Sequence, residues 1–418
     1  MKVIEIEGGK TLTGTIRISG AKNSSVALIP AAILSDGEVT ICNVPEITDT
    51  DALSDILNFL GASVKRASES IVIDSSTIEN KLIPENISKK LRASYYFMGA
   101  LLGKYKHAEM YFPGGCSIGA RPINLHLKGF EALGAKIVED GNKYIIDADE
   151  LKGANIYLDF ASVGATINIM LAAVRASGVT MIENAAKEPE IVNVATFLNN
   201  MGARISGAGT SVIRIEGVKY LNGCFHEVIP DRIEAGTYTI MASLIGKNLK
   251  IDNIIPEHLE ALTSKLIEIG VKIEIGDDYF LISRPDSYKT INVKTQVFPG
   301  FPTDLQQPFT VLLTRCSGKS HLEETIYENR FMHIPELKKM GANIKIIDNK
   351  NIEVIGPTDL IGSDVKATDL RAGAAMVIAG LTASGKTTVR DVEHILRGYE
   401  GIIDKLSDVG AKIELKEI

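Results

Sequence analysis

FLGASVK at residues 59–65 returns five times, as ALGAKIV (132–138), NMGARIS (200–206), EIGVKIE (268–274), KMGANIK (339–345) and DVGAKIE (408–414). Its glycines, Gly61, Gly134, Gly202, Gly270, Gly341 and Gly410, stand 73, 68, 68, 71 and 69 residues apart. A period that steady marks an internal repeat of one supersecondary unit. Leu53, Ile56, Leu57 and Leu60 follow the i, i+3, i+4, i+7 spacing of one apolar helix face, and Gly61 supplies the helix end. Leu259, Leu262, Leu266 and Ile269 do the same before Gly270. Each signature therefore ends a helix and begins a strand.

A second pattern lies upstream in each copy: a strand, a polar break, then a helix rich in Ala, Leu and Met. The breaks read SGAKNSS, KKLRASYY, FASVGAT, PDRIEAGT, PGFPTDLQ and KATDLRAG, and a further strand follows each helix. The unit is strand–helix–strand–helix–strand–strand, an α/β repeat of the α+β type. The sixth copy stops without its closing strands, while KVIEIEGG and TLTGTIRIS at the N-terminus precede the first break. The expected arrangement has the N-terminal strands completing the sixth unit. Residues 22–229 then form one three-unit domain, and residues 1–21 with 230–418 form a second, discontinuous one. Chain crossings near Gly20–Lys22 and Ile229–Asp231 act as a hinge. An open solenoid would need polar capping repeats at its ends, and none is evident.

The chain has 418 residues, 45% apolar and 23% charged, as expected of a soluble globular protein. A net charge of −7 argues against a general nucleic-acid binder. Cys42, Cys116, Cys224 and Cys316 lie far apart with no C-x-x-C pair, so neither a zinc site nor a disulfide framework is expected. No apolar signal core opens the chain and no apolar run reaches membrane-spanning length, which points to the cytoplasm and to no membrane partner.

PGGCSIGARPINLHL at 113–127 sets Cys116 among glycines and ahead of Arg121. Pro122 suits the first turn of the helix that follows. A thiol and a guanidinium ahead of a helix start suit anion binding and a stabilised thiolate, against the plainer reading of a buried, inert thiol. The six breaks feed helix starts and hold Lys22, Asn23, Arg92, Ser162, Asp231, Arg232, Asp304, Asp369 and Arg371. An Asp at a break is also a good helix cap. If the units pack about a local three-fold axis, these starts converge in each domain, and the domains face each other across a cleft of donors and cations. GLTASGKT at 380–387 matches the P-loop pattern, but a helix precedes it and a strand follows, so nucleotide triphosphate binding is rejected there.

SGAKNS (19–24), PGGCSIGARP (113–122), PGFPTDLQQP (299–308), ENRFMH (328–333) and HILRGYE (394–400) together give a likeness to one family. Over its whole length the chain resembles the enolpyruvyl transferases, in the branch acting on UDP-N-acetylglucosamine. The shikimate branch shares the plan but lacks the cysteine loop. The resemblance implies a two-domain inside-out α/β barrel of six βαβαββ repeats, three per domain, with the active-site cleft between domains. It implies transfer of the enolpyruvyl group from phosphoenolpyruvate to the sugar 3′-hydroxyl with release of phosphate, the first committed step of peptidoglycan synthesis. Neither cofactor nor metal is implied.

By the same resemblance Cys116 delivers a proton to phosphoenolpyruvate and can add to it covalently. Lys22, Asn23, Arg121 and Arg397 match the phosphoenolpyruvate clamp. Asp304 matches the carboxylate beside the 3′-hydroxyl and is the candidate base. Asn23, Arg92, Arg121, Pro122, Ile123, Asn124, Leu125, Ser162, Val163, Gly164, Asp304 and Ile326 match positions that hold the UDP-sugar, and Asp231, Asp369 and Arg371 lie near the cleft. Phe160 stands where some members have a lysine, as in the Gram-positive form, so one cationic contact is lost. A cysteine at 116, where some members carry Asp, implies reaction with epoxides of the fosfomycin type. The competing readings are a shikimate-type transferase, a catalytically silent UDP-sugar sensor, and RNA 3′-terminal cyclase-like chemistry.

Overall fold

The computed structural model describes residues 2–88, 91–112 and 122–417. All six signature glycines have a positive φ, between 96° and 110°. The N–H one residue further on reaches back across the turn, from Ala62 to the Leu57 carbonyl at 3.0 Å and from Val271 to Leu266 at 2.9 Å. Ala135, Ala203, Ala342 and Ala411 make the same bond. This six-to-one bond closes a helix at a left-handed residue, a conformation glycine adopts without a Cβ penalty. The sequence period is the imprint of that one turn.

The third unit shows the plan. Strand Asn155–Tyr157 leads into helix Val163–Ala173, then strand Val179–Glu183 runs parallel to the first. Helix Pro189–Asn200 follows, then the hairpin Arg204–Ser206 and Val212–Glu216, whose second strand pairs antiparallel with Val179–Glu183. Five sheets of four strands repeat this order, and the second unit has three described strands, His107–Tyr111, Lys136–Asp140 and Lys143–Asp147.

The N-terminal strands correct one expectation. Lys2–Glu7 does complete the sixth sheet, between Lys386–Arg390 and Lys412–Glu417. Leu12–Arg17, however, pairs parallel with Gly246–Asp252 and so opens the fourth unit. The strand that opens the first unit, Phe225–Glu227, is borrowed in the same way from late in the third and pairs with Val39–Cys42.

Packing divides the chain into two compact units. One takes the N-terminal stretch through Ser19 and resumes at Pro230, and the other begins at Gly20 and ends at Ile229. In the first, helices Arg232–Ile245, Thr303–Leu313 and Leu370–Thr382 pack on one another. They are buried on every side from Ile233 to Ile245, Leu305 to Leu313 and Arg371 to Leu381. In the second, Lys22–Ala31, Tyr96–Tyr105 and Val163–Ala173 are the buried helices. A helix with no solvent face belongs in a core, and the one-faced helices such as Thr48–Leu60 lie outside it.

Helix Leu370–Thr382 precedes strand Lys386–Arg390 across the P-loop-like stretch, the reverse of a P-loop. No helix among the described residues is long and apolar enough to cross a membrane.

Two glycine variants separate backbone strain from crowding. A Cβ at Gly410 meets nothing within 4 Å, whereas one at Gly61 lies 2.7 Å from the Thr77 carbonyl oxygen. Gly410→Ala is expected to cost about 1 kcal/mol from its left-handed backbone alone. Gly61→Ala should cost at least twice that, read from denaturant midpoints at constant m-value.

Candidate functional site

Asp304 is the second residue of helix Thr303–Leu313. Its Oδ1 accepts from Arg330 Nη2 at 2.6 Å, and its Oδ2 from Arg371 Nη2 and Nε at 3.1 and 3.2 Å. Both arginine side chains are almost wholly buried, at 3% and 4% exposure, while that of Asp304 is 28% exposed. Two guanidiniums thus turn one carboxylate toward solvent. Burial disfavours charge on Arg371, but Tyr399, Asp304 and Asp231 outweigh it and raise its pKa. The Arg371 guanidinium also lies 5.4 Å from the centre of the Tyr399 ring.

Asp231 and Asp369 act as helix caps. Asp231 Oδ1 accepts from the N–H groups of Ile233 and Glu234 at 2.7 and 3.0 Å, and Asp369 Oδ1 from those of Arg371 and Ala372 at 2.8 and 3.0 Å. Gln307 Nε2 donates to the other oxygen of Asp369 at 3.0 Å and to the Arg330 carbonyl at 3.3 Å. Ile326 is tied to the Asp304 helix through buried Glu324. That carboxylate accepts from the Ile326 N–H at 2.8 Å and from the Thr303 hydroxyl at 2.9 Å. Arg397 follows the short helix Glu393–Leu396 in the same unit and is partly buried.

In the other unit Lys22 opens helix Lys22–Ala31, and its Nζ lies 2.9 Å from Asp49 Oδ2. Asn23 is beside it, half-buried. Ser162 caps helix Val163–Ala173, its Oγ accepting from the Ala165 N–H at 3.3 Å. Gly164 leaves room for two aromatic groups: a Cβ there would lie 2.9 Å from the Tyr95 hydroxyl and 3.2 Å from His126 Nε2. Buried Asn168 fixes this cluster. It donates to the Tyr95 carbonyl at 3.1 Å, accepts from the Gly99 N–H at 3.0 Å, and bonds His126 Nδ1 at 2.8 Å. Burial, then the nearby Arg92 charge, lowers His126 to about 3. So Arg92, Tyr95, His126 and Gly164 come together, with Leu125 one residue from His126. The helix carrying His126 begins at Asn124 with Ile123 as its cap, so Pro122 precedes it rather than occupying its first turn.

Cys116 and Arg121 lie outside the described residues. Of the described cysteines, burial raises Cys224 and Cys316 to about 11 and Cys42 upward, which leaves them poor nucleophiles. No group of three His, Cys, Asp or Glu side chains among the described residues is arranged to hold a metal ion. Sequence reading missed Asp49, His126, Asn168, Glu324 and Arg330. Arg330 stands inside the quoted ENRFMH stretch and His126 inside PGGCSIGARPINLHL, the signals available for these two.

The family model described as EPSP synthase (3-phosphoshikimate 1-carboxyvinyltransferase) matches residues 6–406. UDP-N-acetylglucosamine 1-carboxyvinyltransferase 2 of Geobacillus kaustophilus is 55% identical over 99% of this chain and 96% of its own length. Its namesake from Listeria monocytogenes is 56% identical over 98% and 96%. Among solved structures, the enolpyruvyl transferase NikO from Streptomyces tendae superposes with a TM-score of 0.90 at 25% identity, covering 99% of each chain. EPSP synthase from Acinetobacter baumannii gives 0.77 at 18% identity over the full length of both, which shows the fold alone.

Three buried histidines give the protein an acid signature. Burial is the first cause in each, lowering His226 and His333 to about 4 alongside His126 at about 3. An unfolded chain takes up these protons near pH 6.5. Between pH 6.5 and about 4 the unfolded state binds more protons, so stability is full above that window and falls as pH drops through it. Each histidine should withdraw at most roughly 1.5 kcal/mol between pH 6.5 and 5. Tm without substrates is expected to fall over that range, and His226→Gln to flatten the slope. An unchanged slope would contradict the assignment.

Proposed function

The chain belongs to the enolpyruvyl transferase family whose model bears the name of EPSP synthase, and from that membership we propose that it makes the precursor of peptidoglycan from phosphoenolpyruvate and UDP-N-acetylglucosamine. It transfers the enolpyruvyl group to the sugar 3′-hydroxyl and releases phosphate. One observation carries the choice of acceptor: relatives 55–56% identical over nearly the whole chain bear the UDP-N-acetylglucosamine name, against 18% for the solved shikimate-type enzyme.

The chemistry needs a proton on the methylene carbon of phosphoenolpyruvate while the sugar oxygen bonds to the adjacent carbon. Loss of a methyl proton from the resulting ketal then expels phosphate as its C–O bond breaks. Cys116 is proposed to give the first proton, since a thiol with a reference pKa of about 8.5 is mostly protonated yet acidic enough to donate. Lys22, Asn23, Arg121 and Arg397 are proposed to hold phosphoenolpyruvate, fixed cations compensating the charge that develops. Asp304 is proposed to take the proton of the 3′-hydroxyl; its partly exposed carboxylate supports that reading. Arg92, Pro122 to Leu125, Ser162 to Gly164 and Ile326 are proposed to hold the UDP-sugar, which the grouping of Arg92 with Gly164 around His126 supports. A cytoplasmic location is part of the proposal.

Phosphate release distinguishes the acceptors. UDP-N-acetylglucosamine with phosphoenolpyruvate is expected to liberate phosphate, and shikimate 3-phosphate is not; release from neither pair would overturn the reading. Asp304→Ala should lower kcat by roughly 10²–10⁴-fold, with UDP-sugar binding measured by calorimetry changed only a few-fold. Cys116→Ser should lose most turnover and all reaction with a fosfomycin-type epoxide, and full activity would remove the thiol from the proton step.

A further inference from the structure

Ser19 is the last residue of its unit before the chain leaves it at Gly20. Strand Leu12–Arg17 has already ended, so side chains and the returning chain satisfy its polar groups. The Ser19 N–H donates to Glu234 Oε2 at 2.8 Å, and its carbonyl accepts from the Asp231 N–H at 2.9 Å. Its hydroxyl donates to Glu400 and accepts from Lys405 Nζ at 2.6 Å. Lys405 Nζ also donates to Glu234 Oε1 at 2.6 Å. The Glu234 side chain is 3% exposed and that of Lys405 19%. Asp231 begins the segment that re-enters the unit, so both passages of the chain meet in one polar cluster.

What stands next to this cluster gives it a function. Lys22 lies three residues beyond Ser19, and Arg397 three residues before Glu400. Tyr399, between Arg397 and Glu400, is hydrogen-bonded to Thr237 at 3.0 Å, and its ring lies against Arg371, which holds Asp304. We propose that Lys405 is a positioning residue: it holds Ser19 and the Arg397–Glu400 turn together on Glu234, and so fixes Arg397 and the last residues of the unit before the chain runs on to Lys22. The proposal rests on the transferase reading, in which those two cations grip phosphoenolpyruvate.

The physical case is the cost of an unpaired buried carboxylate. Burial pushes the Glu234 carboxyl pKa up, Lys405 opposes this, and Asp231 adds to the rise. Without the ammonium, Glu234 keeps only the Ser19 N–H against burial, which favours its protonated form. The neutral group is a weaker acceptor for the Ser19 N–H, and the Ser19 hydroxyl loses its donor. The crossing strand is then held by fewer bonds, and orientation of the cations suffers before the fold does.

Lys405→Met and the milder Ser19→Ala test this in the full chain. Both should raise KM for phosphoenolpyruvate roughly tenfold, with UDP-N-acetylglucosamine Kd within about twofold of wild type. Lys405→Arg, which keeps the charge, should recover most of the loss. Hydrogen exchange of peptides covering residues 18–25 should quicken in Lys405→Met without any substrate present. Unchanged exchange overturns the anchor, and quickened exchange with wild-type KM overturns the positioning role. If Lys405→Met does not fold, Ser19→Ala and Lys405→Arg decide. A wild-type protein that releases no phosphate defeats the transferase reading instead, and the exchange measurement then judges the anchor alone.

Discussion

A helix buried on every side can offer a ligand only its ends. That constraint shapes both units, each built around three such helices with its sheets and one-faced helices outside. The starts of these helices carry unpaired N–H groups and partial positive charge. Some are closed by the chain's own caps, Ser162, Asp231 and Asp369. Others carry Lys22 and Asp304, the residues proposed to serve the reaction. A cap and a reactive side chain occupy the same kind of position in the repeat, so six copies of one unit can be divided between structural and chemical duty without a change of plan.

Charge at these ends is held by burial rather than by surface pairing. Asp304 lies between two guanidiniums that are themselves out of water, a geometry far more costly to break on one side than an exposed ion pair. Glu324 works alike at smaller scale, drawing Ile326 to the start of the Asp304 helix. In the other unit Asn168, with no exposure at all, sets the orientation of His126 and with it the wall that Gly164 faces. These supporting groups fix the geometry on which the proposed chemistry relies.

Much of this was legible in the chain. The signature glycines announced a turn with one allowed backbone, and the structure has it six times. The run rich in Ala, Leu and Met after each break announced a helix; that these helices have no wet face is the structure's finding. What was not legible depends on pairing between distant segments. Leu12–Arg17 reads as a strand from its composition, but nothing in it says that its partner is Gly246–Asp252. Arg330, Glu324 and Asn168 sit in stretches where an arginine, an acid or an amide would ordinarily be a surface residue. Only their burial against Asp304, Thr303 and His126 gives them a role. Proline 122 misled because its helix starts two residues later, at Asn124.

The enolpyruvyl group is proposed to pass through a ketal whose methyl carbon has taken a proton from the protein's side of the reaction. Carrying out the reaction in deuterium oxide and weighing the product tests that step. Deuterium is expected in the vinyl group attached to the sugar 3′-oxygen, because the methylene carbon gains one hydrogen and later returns one of three. A product formed in quantity with an unlabelled vinyl group would contradict it.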